Sequence, residues 1–251
     1  MAGSEAVIGI RQLSQLDEFA EVVSLQEAIW GYDPMDLLPM RFLVVLTRAG
    51  GHVFGAYDGS RMIGFCFAMP GIKPGPKPYL HSHMLGVLPD YRDLGVGRRL
   101  KLRQREEALA RGILLMEWTF DPLELKNAFF NIERLGAIVR RYVPDLYGIT
   151  ASPLHGGLPT DRCYAEWWLD SPRAQSCAGQ ACAVSGPGRE DCEKIAYPAD
   201  IARIRAEDPG CAREIQRANA ARFADAFTRG LAVTGFERGD TESSYLLEPW
   251  K

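Results

Sequence analysis

Two histidines, His81 and His83, lie two residues apart in the stretch YLHSHMLGVL, and the turn Arg92-Asp93-Leu94-Gly95-Val96-Gly97 follows shortly after. Each suggests chemistry. Side chains alternate along a strand, so an extended stretch here predicts that His81, His83, Leu85 and Val87 share one face. An imidazole titrates near neutrality and can take a proton from a substrate group. The turn runs into a basic segment, Arg98, Arg99, Lys101, Arg103 and Arg105. Free amides and the positive dipole end at a helix start bind phosphate oxygens, and glycines let the backbone come close to them. Basic residues in a first helical turn oppose the dipole unless an anion sits there. The turn therefore predicts a pyrophosphate-bearing ligand. A solvated helix start accounts for the same turn taken alone, because G-x-G by itself is a weak motif. A dinucleotide fingerprint is a third reading, with Glu117 at the ribose distance. Against it, the third glycine position holds Leu100, and two helices and a hairpin precede the turn.

Elements on both sides must position these groups. An opening strand, AVIGIRQ, leads into a helix over SQLDEFAEVVSLQEAIWG, with Ser14 as its cap and Gly31 at its stop. A shorter helix covers MRFLVVLTRAGG. HVFGAYD and RMIGFCFAM form a hairpin around Gly59 and Ser60. The histidine strand follows a Pro/Gly loop, and a helix runs from Gly95 to Arg111. ILLMEWTF is a buried strand, and DPLELKNAFFNIERLG a helix capped by Asp121. AIVRRYVPDLYGI and RCYAEWWL read as further strands. Ser171 to Asp191, rich in Ser, Gly, Pro and Cys, reads as a linker or long loop. A largely helical run and a hairpin complete the chain. The order is mixed α/β.

Composition bounds the function. The chain has 251 residues, 47% hydrophobic and 24% charged, ordinary for a globular protein with a sizeable core. A net charge of −3 argues against nucleic acid as a partner. No apolar run approaches the ~18 residues of a membrane span, and no signal peptide is legible, so a cytoplasmic protein is expected. Six cysteines are too few for a disulfide scaffold in a chain of this length, and reduced thiols are expected. Cys177, Cys182 and Cys192 lack C-x-x-C spacing and a neighbouring histidine, so no metal is expected.

The segment VLPDYRDLGVG, Val87 to Gly97, resembles the acyl-CoA-binding motif of the GNAT N-acyltransferase superfamily, and the order of elements from Ile8 to Leu169 resembles the GNAT core. That resemblance implies a GNAT-like central mixed sheet flanked by helices, with a C-terminal helix-plus-hairpin extension. It implies a catalytic domain over residues 1–170, a linker over 171–192 and an extension over 193–251. It implies acetyl-CoA or another acyl-CoA as co-substrate, with Arg92, Asp93, Leu94, Gly95, Val96, Gly97 and Arg98 holding the pyrophosphate. Leu85, Gly86 and Val87 would line the pantetheine, and Asn127 is a candidate for its thiol end. The histidine spacing is similar to that of arylalkylamine N-acetyltransferases, where such a pair relays the proton of the attacking amine. The tyrosine general acid common in the superfamily is replaced by Ile132; Tyr142 and Tyr147 are the alternatives, and Glu117 is an alternative base. Glu27 and Trp30 would line the acceptor pocket. Arg140 and Arg141 would hold an acceptor carboxylate, only one of them facing the pocket if the strand alternates. The expected activity is acetyl or succinyl transfer to the amine of a small molecule or amino acid. The alternative is a non-catalytic CoA-binding or interaction module. The oligomeric state is not legible.

Overall fold

A computed structural model describes residues 8–75, 77–148, 156–179 and 192–250. The chain divides into two compact units, 1–116 and 117–251.

The first unit is a four-stranded antiparallel sheet in the order β1 (Gly9–Gln12), β2 (His52–Asp58), β3 (Arg61–Lys73) and β4 (Lys77–Val87). Helices α1 (Leu16–Trp30) and α2 (Met40–Arg48) cover one face and α3 (Val96–Ala110) the other. α1 starts one residue later than Ser14 predicts. Gln15 is its cap, and the Glu18 carboxylate accepts from the amides of Ser14 and Gln15. Gly31, at φ 62°, ends it as expected. The core on the α1 and α2 face contains Phe19, Leu43, Phe65 and Phe67. The core on the α3 face contains Phe54, Ile63, Cys66 and Leu100.

The second unit begins in β5 (Leu115–Phe120), across whose start the division falls. Its sheet order is β5, β7 (Arg162–Trp168), β6 (Ile138–Val143), β9 (Leu231–Arg238), β10 (Glu242–Pro249) and β8 (Glu193–Pro198). The helix expected after Asp121 is shorter than its sequence pattern. Asp121 closes a local turn by accepting from the Leu123 amide, and α4 (Leu125–Phe129) passes into a π-helical turn, Phe130–Arg134. That widened turn lets the buried Glu133 carboxylate accept from the Phe236 amide of β9 at 2.7 Å. The expected linker holds a helix, α5 (Pro172–Ala178), capped by the Ser171 hydroxyl; its remainder, with Cys182, falls outside the described residues. α6 (Ile201–Glu207) and α7 (Pro209–Thr228) precede the closing hairpin. Cys66, Cys163, Cys192 and Cys211 are free thiols, whereas Cys177 is disulfide-bonded, which corrects the expectation of reduced cysteines throughout.

Candidate active site

β4 is not a regular strand. Ser82 pairs with Ala68 and Met84 with Phe67, which leaves His83 as the extra residue of a β-bulge. A bulge resets the alternation of faces. Before it, Leu80 and Ser82 point to the α3 side, where the Ser82 hydroxyl meets Lys101 and Gln104. After it, Leu85 and Val87 take that side, and Met84 packs with the α1 and α2 core. His81 and His83 remain together on the α1 and α2 face. Their ring centroids are 5.9 Å apart, and His83 lies 5.7 Å from Phe67. The expectation of four residues on one face is therefore half right. The histidines share a face, and Leu85 and Val87 belong to the opposite one.

The same face explains Trp30. Its ring stacks on Tyr32 at 5.4 Å and meets Phe65 edge-on at 5.8 Å. It also lies against Gly86, where an added Cβ would come within 2.9 Å of the Trp30 and Ile29 side chains. Gly86 is thus the gap through which the end of α1 reaches β4, downstream of the histidines. Glu27 sits one turn earlier on α1 and is exposed. Protein closing around His83 lowers its pKa by desolvation, although its edge stays open to solvent, so the imidazole holds its neutral form to lower pH.

The turn after β4 is built for amide exposure. Pro89–Tyr91 form a 3₁₀ turn, and the Arg92 guanidinium donates back to the Val87 carbonyl at 3.3 Å. Asp93 and Gly95 both have left-handed φ, 62° and 75°. Such conformations fold consecutive amides into a concavity that suits an anion. Gly95 is the N-cap of α3 and offers no side-chain acceptor. The first intrahelical bond of α3 runs from Arg99 to the Gly95 carbonyl, so the Val96, Gly97 and Arg98 amides form the opening turn of the helix, ahead of its bond ladder. An added Cβ at Gly97 meets only Leu85, at 3.7 Å. No acidic residue occupies the first turn of α3, and Arg98 and Arg99 stand there instead. These residues fit an anionic group, the part of acyl-CoA that the sequence motif assigns to them.

In the second unit a bulge again breaks the alternation. Val139 pairs with Ala165 and Arg141 with Tyr164, so Arg140 is the extra residue. Both arginines therefore project to one face, where parity predicted one. Arg140 pairs with Glu166, and Arg141 stacks 3.5 Å over Tyr164 and lies 3.8 Å from Glu117. Glu117 is buried, and this ion pair holds it. Tyr147 shares that neighbourhood and hydrogen-bonds Thr119 at 3.0 Å, with half its surface exposed. Tyr142 points the other way. It stacks on Phe223 of α7 and donates to Asp161 at 2.6 Å, and burial pushes its pKa far up. Asn127 is exposed on α4. Sequence reasoning missed the group that joins β4 to α3, namely Lys101, Ser82, Gln104 and His52. Its only sequence signal is a lysine at i+4 from Gly97 among the apolar positions of α3.

Residues 15–136, just under half of the chain, match the model of the acetyltransferase (GNAT) family. That match spans α1 to the end of the π-helical turn and includes both the histidines and the glycine turn. Three solved structures show the same fold. A protein from Acinetobacter baylyi assigned as an acetyltransferase is 17% identical; the alignment covers 68% of this chain and 97% of that one, with a TM-score of 0.56. A Salmonella typhimurium protein assigned as an acetyltransferase, solved with its cofactor acetyl-CoA, is 17% identical over 65% and 95%, at 0.53. The ribosomal-protein-S18-alanine N-acetyltransferase of Escherichia coli is 14% identical over 66% and 96%, at 0.52. No curated protein sequence matches the chain.

Proposed function

We propose that this chain, whose residues 15–136 match the model of the acetyltransferase (GNAT) family, transfers the acetyl group of acetyl-CoA to the amine of a small molecule or amino acid. The observation that carries the reading is the pairing of the amide turn at Gly95–Arg98 with the histidine pair on the strand that feeds it. Residues 1–170 are the catalytic portion in this reading.

The amides of Val96, Gly97 and Arg98, with Arg92 and Arg98, hold the pyrophosphate. The β4 segment Leu85–Val87 runs beside the pantetheine. A primary amine is mostly protonated at neutral pH and must lose a proton to become a nucleophile. His83, whose pKa desolvation lowers, accepts that proton, and His81, 5.9 Å away, passes it on through water. The amine nitrogen bonds to the thioester carbonyl carbon, the carbon–sulfur bond breaks with its electron pair leaving on the thiolate, and the surplus proton of the acylated nitrogen passes through water to that thiolate. A thiolate is a competent leaving group, so the step tolerates Ile132 in place of a tyrosine acid. Trp30 and Tyr32, stacked at the end of α1, supply an apolar wall on the histidine face suited to a small acceptor.

Release of free CoA in the presence of amine pools, measured with a thiol reagent, tests this reading. Acetyl-CoA binding without turnover against small amines, amino acids and peptides would favour a binding module instead.

A further inference from the structure

Lys101 is a lysine in the hydrophobic core of the first unit, 2% exposed. It lies on α3, one turn beyond Gly97. Its ammonium donates to the Ser82 hydroxyl at 2.7 Å, and Ser82 donates to Gln104 Oε1 at 3.0 Å. The Gln104 amide meets His52 Nε2 at 3.2 Å. With Lys101 charged, the order of donors is fixed from the lysine onward, because an ammonium has only protons to give. His52 must then accept at Nε2 and carry its own proton on Nδ1, which is buried without a hydrogen bond. Burial and the nearby Arg111, Lys101 and Arg103 push His52 down to about 3, so it stays neutral in this role.

The chain of bonds crosses the sheet along one row. His52 pairs with Ala68, and Ala68 pairs with Ser82. Ala68 is small, which leaves room for Gln104 to bridge its two neighbours from above. The row ends at Ser82, the residue immediately before the bulge. If Ser82 slipped by one position, the residues after it would change face, and His83 with them. Apolar packing alone does not need a lysine here. Burial lowers its pKa to about 7, a direction that opposes folding at neutral pH. The other titratable group acting on it is Cys66 of β3, whose thiol burial raises to about 12; Arg103 and Arg111 act on His52.

We propose that Lys101, acting through Ser82, is a positioning residue that pins the β4 bulge and thereby sets the orientation of His81 and His83. This rests on the reading of those histidines as the base. It adds that the helix carrying the donor anchor also fixes the strand carrying the base.

The test uses Lys101→Met, which keeps the volume and removes the donor, and Ser82→Ala, a smaller change that keeps a second variant available if the first does not fold. Imidazole titrations by NMR of the full chain report the geometry directly; its four histidines are assigned from His→Ala spectra. In either variant the His83 titration should move by about half a pH unit or more towards its ordinary value. Its kcat should fall about tenfold with a shifted pH profile, while KM for acetyl-CoA stays within about twofold. Ser82→Thr, which keeps the hydroxyl, should restore both. Folded variants with unchanged His81 and His83 titrations would overturn the proposal, as would equal losses in kcat and acetyl-CoA affinity. If His81→Ala and His83→Ala left turnover intact, the base assignment would fail, and the titrations would still decide the role of Lys101.

Discussion

Gly97 separates folding from donor binding. It has ordinary helical φ, and a Cβ added there meets only Leu85 at 3.7 Å, an ordinary contact. Gly97→Ala should therefore fold, gain up to about 0.5–1 kcal/mol from reduced backbone freedom, and bind acetyl-CoA within about threefold of the parent. Gly97→Glu should fold as well, because its Cβ makes only that same ordinary contact. It places a carboxylate within about 5 Å of any phosphate held by the Val96–Arg98 amides. At that distance two unit charges repel by about 3 kcal/mol at an effective dielectric of 20 and by under about 1 kcal/mol in bulk water. The turn is partly exposed, so about 1.5–2 kcal/mol is expected, a loss of about 10–30-fold in Kd. Isothermal titration with acetyl-CoA and a thermal melt decide the matter together. The loss should shrink when salt is raised to about 1 M, where the screening length falls to about 3 Å. A Gly97→Glu protein that melts like the parent and binds acetyl-CoA equally well would refute the turn as the anchor.

Three further outcomes follow from the same geometry. His81→Ala and His83→Ala should each lower kcat by about 10–100-fold and leave the Kd for acetyl-CoA within about twofold. In the parent, activity should fall as pH drops through the His83 pKa, with the midpoint below the ordinary histidine value, as a pH series of kcat/KM would show. Gly86→Ala forces a Cβ to 2.9 Å from Trp30 and Ile29, so it should destabilise the fold by about 1–3 kcal/mol and raise the acceptor KM more than that for acetyl-CoA. Lys101→Met should raise the melting temperature at pH 7. A lysine at 10.5 when unfolded and about 7 when folded opposes folding, and the opposition, on the order of 5 kcal/mol, is present in full below pH 7 and relieved as pH rises towards 10.5. Equal melting temperatures at pH 7 would show that the buried ammonium is fully compensated.

Much of the first unit was legible because its signals are local. Gly31 ends α1, Gly95 and Gly97 open α3, and Gly59 sits at the turn between β2 and β3. Period-2 reasoning placed His81 and His83 on one face correctly and Leu85 and Val87 on that face wrongly. The cause is the extra residue at His83, which no glycine or proline announces; a bulge is fixed by contacts with α3 that are distant in sequence. The same failure recurs at Arg140, where the bulge brings both arginines to one face. Tyr142 was an alternative to the tyrosine acid that Ile132 replaces, yet it stacks on Phe223 of α7 and bonds Asp161. Lys101 was read as one of the basic residues that follow the anion-binding turn. Its position i+4 from Gly97, level with the buried Leu100, was the available signal that it faces inward.

Steady-state turnover with acetyl-CoA and a panel of small amines, amino acids and short peptides is the most direct measurement. Free CoA should appear in proportion to an acetylated amine, and at least tenfold more slowly in His83→Ala at the same acetyl-CoA occupancy. Tight acetyl-CoA binding with no acetylated amine from any acceptor class would contradict the account.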